Sequence, residues 1–359
     1  MHCNLDIYTD YLISSTGQTS ATGLSRLYGG QMSHDQVTRF LTHAYFDSKD
    51  LWLHSKPLIR SCEAKQKKEG FAVLIVDDSI LEKAHTDKNA MVCYHWDHSS
   101  GRSVKGVNFL SLLYQNGQTS LPIAVQLIEK TEPHIDKKTG KTNFKCKLTK
   151  NEYLRQMLQV SRNQIAYKYL LAGNWYSSAE NMQAVLNSKH DFIFALESSR
   201  TVALSEQGRQ KGQFFSLDSL DFSAKKVLEV YLRSLKVSVL VIKQIFTDKD
   251  GGQGFLYLVT SDTGLDYGQI TAIYQRRWKT ERAGGVEEYH KSLKQNTSMG
   301  KSPTKNPDTQ ANHFFASILA YIKLEALKIK LCMGHFALKA QLYQAGLKAM
   351  QNHLDLFAA

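Results

Sequence analysis

The chain has 359 residues, 42% hydrophobic and 22% charged, with 5 prolines. That composition builds a sizeable core and excludes a disordered chain. Lys and Arg outnumber Asp and Glu 45 to 33, a formal net charge of +12, which favours a polyanionic partner, nucleic acid before anionic membrane.

Cys3, Cys62, Cys93, Cys146 and Cys332 are scattered, and no pair has CxxC spacing. Free thiols in a reducing cytosol are expected. The segment MHCNLDIYTD lacks a basic stretch followed by an apolar core, so no signal peptide is expected. No run of about 18 apolar residues exists, so no membrane span is expected either.

Residues 1–66 read as helical. SATGLSRLYGG and SHDQVTRFLTHAYF are two short amphipathic stretches separated by a Gly-Gly turn, with Ser33 as an N-cap. They suit either a helix-turn-helix-like DNA module or a helical cap on the core. The next region, 67–200, alternates strands and helices. FAVLIVDDSI (71–80) is a continuous apolar run, as a strand buried on both faces should be. VKGVNFLSLLYQNGQTSLPIAVQLIEK predicts a hairpin turning at QNGQ. Residues 130–150 read as a basic loop, with seven lysines against two acids. A helix over NEYLRQMLQVSRNQIAYK and strands at YLLAGNWY and DFIFALES follow. Residues 201–265 read as a β-rich insertion, and 266–359 as helical. The order predicts a mixed α/β fold.

Two stretches carry candidate chemistry. The apolar run from Phe71 ends on Asp77 and Asp78, which alternation sends to opposite faces of the strand. Carboxylates at a buried strand end are costly unless paired or bound to a hard cation such as Mg²⁺. The second stretch, YQRRWKTERAGGVEEYHKSLK, supplies Tyr274, Arg276, Arg277 and Trp278, then Glu281, Glu287 and Glu288, then Lys291 and Lys294. On a helix Glu287, Lys291 and Lys294 share one face. A carboxylate beside cations and aromatics suits phosphodiester chemistry, the acid holding metal and the cations holding phosphates. A salt-bridged surface helix gives the same pattern.

These residues resemble the Y-R-E-K signature of the DDE transposases of bacterial insertion sequences, family four. VDDS before KGVNFLSLLY, and NWYSSAENM after a strand, resemble that family's other two signature regions. The resemblance covers roughly residues 20–330. It implies an RNase H-like mixed-sheet core with a β-rich insertion and helical ends. It implies three carboxylates holding two Mg²⁺ ions, with Mn²⁺ as a substitute, for cleavage and strand transfer of double-stranded DNA at terminal inverted repeats and target sites. A homodimer on DNA and a cytoplasmic, nucleoid-associated bacterial protein are also implied. Asp78 and Glu287 match the catalytic and metal-binding acids. Tyr274, Arg276, Arg277, Lys291 and Lys294 match DNA-binding positions.

The sequence departs from that pattern twice. The second aspartate of the family falls on Gly173, followed by Asn174, and neither is a carboxylate. Six residues, TERAGG, look inserted after Lys279. As continuous helix they would turn the following face by about 240° net and move it about 9 Å. Looped out, with Gly284 and Gly285 as helix breakers, they would leave both halves in place. The third acid is therefore Glu287 or Glu281. These two departures predict a transposase disabled in catalysis, with a non-catalytic DNA-binding protein on the same fold as the alternative.

Other motifs are set aside. KKTGKTNFK lacks the glycine a phosphate loop needs five residues before Gly140, where Ile135 stands. Alternation splits Cys93, His95 and Asp97 from His98, and no second pair of zinc ligands follows.

Overall fold

The computed structural model describes residues 1–65, 70–98, 100–137, 140–161, 164–247, 251–280 and 283–358. The expected boundary at 66–67 lies outside them. Four helices open the chain: α1 (Leu5–Ser14), α2 (Ala21–Leu27), α3 (His34–His43) and α4 (Ser48–Ala64). Asn4, Ser20, Ser33 and Asp47 each cap one, their side-chain oxygens accepting from first-turn N–H groups.

The central strands follow: β1 (Val73–Glu82), β2 (Val92–Asp97), β3 (Arg102–Asn116) and β4 (Thr119–Leu127). β5 (Glu132–Ile135) and β6 (Thr142–Lys145) pair as an exposed ribbon where a loop was expected. Its eight strand residues have no apolar alternation to announce them. Then come α5 (Lys150–Ser161), β7 (Tyr169–Ala172), α6 (Ala179–Asn187) and β8 (Asp191–Leu196). β4, β3, β1, β7 and β8 lie side by side; β3 runs antiparallel to β1, and β7 and β8 run parallel to it. The strands of β1 and β7 are apolar on both faces because helices cover both sides of a parallel segment.

The region expected as an insertion contributes β9 (Thr201–Ala203), α7 (Glu206–Gln210), β10 (Phe215–Ser216), β11 (Val227–Leu232), β12 (Ser238–Thr247) and β13 (Gln253–Thr260). These strands extend the same sheet: β13 pairs with β8, and β12, β11, β9 and β10 follow outward. The mixed α/β architecture with helices at both ends, expected from sequence, is what the chain adopts.

α8 (Tyr267–Gln275) leads into a small hairpin, β14 (Lys279–Thr280) with β15 (Ala283–Gly284), and then α9 (Val286–Asn296), α10 (Pro307–Leu331) and α11 (His335–Ala358). Thr280, Ala283 and Gly284 of TERAGG therefore lie in this hairpin and do not extend α8 or α9. Its neck is closed by Gly285 N–H donating to the Trp278 carbonyl at 3.0 Å and Val286 N–H donating to the Arg277 carbonyl at 2.8 Å. A Cβ on Gly285 would fall 2.0 Å from the Trp278 carbonyl oxygen, so the closed neck requires glycine. Glu281, the alternative third acid, lies outside the described residues.

α10 is the spine between the halves of the molecule. Ala316, Ala320 and Leu324 pack against Tyr8, Leu12, Leu24 and Leu41 of the N-terminal helices, while Ile318 and Ile322 join the main core. No helix among the described residues is long and apolar enough to cross a membrane.

Buried histidines make this packing acid-sensitive. His313 is buried, with Nδ1 2.8 Å from the Tyr8 hydroxyl and Nε2 3.1 Å from the Ser298 carbonyl. A neutral ring fits both partners: Nε2–H donates and Nδ1 accepts. Burial pushes His313 down to about 4 and His290 down to about 3. The unfolded chain therefore takes up protons near pH 6.5 that the folded chain refuses, and stability falls as pH drops below that value. At about 1.4 kcal/mol per proton and pH unit, these two rings should cost about 4 kcal/mol of stability in urea unfolding between pH 7 and pH 5. A flat profile over that range would contradict neutral buried rings.

Candidate functional site

β1 runs beyond its parallel neighbour. β7 ends at Ala172, opposite Val76, so Asp77 and Asp78 stand where a crevice opens at the carboxyl ends of β1, β7 and β8. Ligand sites of open parallel sheets form in such a place. The cleft, about 650 Å³, is lined by Asp77, Asp78, Asp97, Lys150, Gly173, Asn174, Trp175, Tyr176, Glu197, Arg277 and Lys294, with Ser79, Ile80, Trp96 and His98. Alternation along β1 led us to expect only one of the two aspartates in a cleft. Both line it, because it opens beside the strand rather than on one of its faces.

The two aspartates are already engaged by the protein. Lys150 Nζ lies 2.6 Å from Asp78 Oδ2, and the Tyr176 hydroxyl donates to Asp78 Oδ1 at 2.5 Å. Burial, then the neighbouring Asp78 carboxylate, push the Tyr176 hydroxyl upward. Arg277 Nη2 lies 3.5 Å from Asp77 Oδ1, and Arg277 also donates to the Tyr274 hydroxyl at 3.0 Å. Burial raises Asp77 to about 6 against the opposing pull of Arg277.

Gly173 has ordinary extended backbone, φ −72° and ψ 173°, so nothing in its conformation demands glycine. The nearest atoms to a Cβ built there are those of the Arg277 guanidinium, at 3.5 Å or more. The Arg277 guanidinium thus lies beside both Asp77 and the position where a β7 carboxylate would begin. Asn174, next in line, donates through Nδ2 to Glu197, which follows β8.

The residues named from sequence separate in space. Asp78, Arg277 and Lys294 meet at the cleft; Lys294 Nζ donates to Ser79 Oγ at 3.0 Å and to the Ile80 carbonyl at 3.1 Å. Glu287, in the first turn of α9, is exposed and does not line the cleft, though its charge is felt at Asp77. Tyr274 and Arg276, expected at a DNA surface, are held inside. Tyr274 is buried and donates to the Ala172 carbonyl at 3.3 Å; Arg276 donates to Gln115 Oε1 at 2.7 Å and to the carbonyls of Gln115 and Phe71. They fasten the end of α8 to the central strands β1, β3 and β7. Lys291 is exposed on α9, its ammonium 5.1 Å from the Phe336 ring. Lys150, Tyr176, Glu197 and the exposed Trp96 and Trp175 were not singled out from sequence. Only Tyr176 and Trp175 carried a signal, as part of NWYSS.

A two-metal site does not fit these side chains. The β7 strand end supplies no carboxylate, both Asp78 oxygens are taken, and Asp77 faces a guanidinium. Among the described residues no group of three or more His, Cys, Asp or Glu is placed to hold a metal ion.

Residues 1–213 match the family model described as DDE superfamily endonuclease. Among solved structures, the chain is similar to the Drosophila P element transposase strand transfer complex. That likeness has 10% identity and a TM-score of 0.27, covering 57% of this chain and 46% of that one. No curated protein matches the sequence.

Proposed function

Because the chain belongs to the DDE superfamily endonucleases, we propose that it is a transposase-type protein that binds double-stranded DNA and does not cut it. The observation that carries the reading is Gly173: the end of β7 faces the β1 aspartates with no carboxylate, and Arg277 lies beside it. The net charge of +12 supports the DNA partner. The looped-out insert supports assigning Tyr274, Arg277, Glu287 and Lys294 to the Y-R-E-K pattern of insertion-sequence family four, since it leaves the spacing of both halves intact. In this reading Asp77, Asp78 and Glu287 are what remains of the acidic set that in a complete site would take Mg²⁺ or Mn²⁺. Lys291 and Lys294 face the phosphate backbone. Terminal inverted repeats, bound by a homodimer, are the proposed targets.

The test is fluorescence anisotropy with a labelled duplex, across a salt series, with Mg²⁺ and with EDTA. Binding should weaken steeply as salt rises, as counterion release requires, and should not need the divalent ion. Failure to bind duplex at low salt would overturn the reading.

A further inference from the structure

Of the basic stretch 130–150, seven lysines against two acids, the aspartate cleft takes only Lys150. The ribbon in that stretch, β5 with β6, forms a sheet of its own, and all eight of its strand residues are exposed. A lone two-stranded ribbon is marginally stable in water and gains from being covered. Ile135 and Phe144 leave 68% and 54% of their surface in water. They share one face with Pro133 and Thr142, because Pro133 pairs with Phe144 and Ile135 with Thr142. His134 and Asn143 pair on the opposite face, and with β2 they line a groove of about 850 Å³, which Phe144 also borders. Lys88, Asn89 and Lys130 line the same groove, and among the described residues no carboxylate does. Glu132 shares the face of His134 but stands across from Lys145 at the base of the ribbon. Lys130 Nζ donates to the Tyr94 carbonyl of β2 at 2.6 Å, which uses one of its three donors and fixes the ammonium at the groove.

Cations and amide donors with no acid among them match a sugar–phosphate backbone. The ribbon beside them matches the neighbouring groove of the same duplex. Its four-residue strands span about 13 Å, and the major groove, about 12 Å wide, admits a two-stranded ribbon. We propose that the β5–β6 ribbon hooks over one strand of a bound duplex into the major groove, and that the groove between the ribbon and β2 seats that strand's phosphates, gripped by Lys88 and Lys130 and aligned by Asn89, His134 and Asn143. The outer face then turns Ile135 and Phe144 toward the base edges, where thymine methyl groups offer apolar contact. β2 also lines the aspartate cleft, through Trp96 and Asp97. One backbone can therefore pass the aspartates and run on into the ribbon's groove.

This inference rests on the DNA-binding reading, and the experiment separates the two. The full-length protein is titrated with a labelled duplex across a salt series, and the slope of log affinity against log salt is read. Each lysine on a phosphate contributes about 0.9 to that slope. Lys88→Gln with Lys130→Gln should lower it by about two, and Lys88→Gln alone, an exposed loop residue, by about one. Ile135→Ala with Phe144→Ala should weaken binding and leave the slope unchanged, since no charge is lost. Lys348→Gln, exposed on α11 and remote from the ribbon, is the control and should keep the slope of the unmodified protein. An unchanged slope in the folded Lys88→Gln variant, or an equal fall in Lys348→Gln, overturns the backbone seat and leaves DNA binding standing. Undiminished affinity in the folded Ile135→Ala, Phe144→Ala protein overturns the insertion of the ribbon. No duplex binding by the unmodified protein overturns both readings.

Discussion

Gly173→Asp is expected to fold, to bind Mn²⁺ at least tenfold more tightly than the unmodified chain, and to raise nicking of supercoiled DNA on the order of 10²-fold, the effect of one well-placed charged group at a reacting centre. Glycine is not required at this position: the backbone is ordinary extended chain, and the atoms nearest the new Cβ are those of Arg277, at van der Waals distance. The substitution returns a carboxylate to the carboxyl end of β7, beside the Asp77 and Asp78 of β1. It also offers Arg277 a second anion, which weakens its hold on Asp77. Isothermal titration with Mn²⁺ and a plasmid-nicking gel read the two effects separately. A folded variant that neither binds metal nor nicks would place a second defect in the neck of the 279–284 hairpin, upstream of Glu287.

The second large effect concerns stability. Glu325 of α10 is fully buried. Its Oε1 accepts from the Ser120 N–H at 2.9 Å and from Lys328 Nζ at 2.9 Å, and its Oε2 lies 2.8 Å from His335 Nε2. His335 Nδ1 in turn lies 2.9 Å from Ser292 Oγ on α9. One carboxylate thus ties α10 to the start of β4, to α11 and, through the imidazole, to α9. Burial works against its charge, but His335 and Lys328 hold it below the usual carboxylate range. Glu325→Gln leaves the Lys328 ammonium without its anion and takes the carboxylate from His335 Nε2, and removing one member of a buried pair costs about 3 kcal/mol or more. The sign with pH follows from the lowered value. The contribution is fully present above about pH 4.5, where an unfolded glutamate is also ionised, and is lost as pH falls through the lower folded value. Urea unfolding should show the full difference between the two proteins at pH 7 and a shrinking one in acid. Equal stability at pH 7 would remove Glu325 from this role.

Much of this frame was legible in the chain. β1, the β3–β4 hairpin, β7 and β8 were readable because continuous apolar runs bounded by turns have few other uses. The absent carboxylate at Gly173 was equally visible, since it is a residue identity. The fate of TERAGG was left between helix and loop, because the deciding fact is the close approach of Gly285 to the Trp278 carbonyl, a contact made only in the fold. Tyr274 and Arg276 looked like DNA contacts because a tyrosine and an arginine on a helix can face either way. Their direction is set by Ala172, Gln115 and Phe71, remote in sequence. Lys150 was legible only as one of seven lysines in a basic stretch, with nothing to tie it to Asp78. It opens α5 and reaches Asp78 across 72 residues of chain.

The most direct test of the central claim is to hold an end-labelled duplex bound to the unmodified protein in Mg²⁺ or Mn²⁺ and to resolve the strands on a denaturing gel. The claim predicts bound but intact strands at all times. Cutting that disappears in Asp78→Asn would contradict it, and if Glu197→Gln also abolished that cutting, the second acid would lie at the end of β8 instead of at position 173.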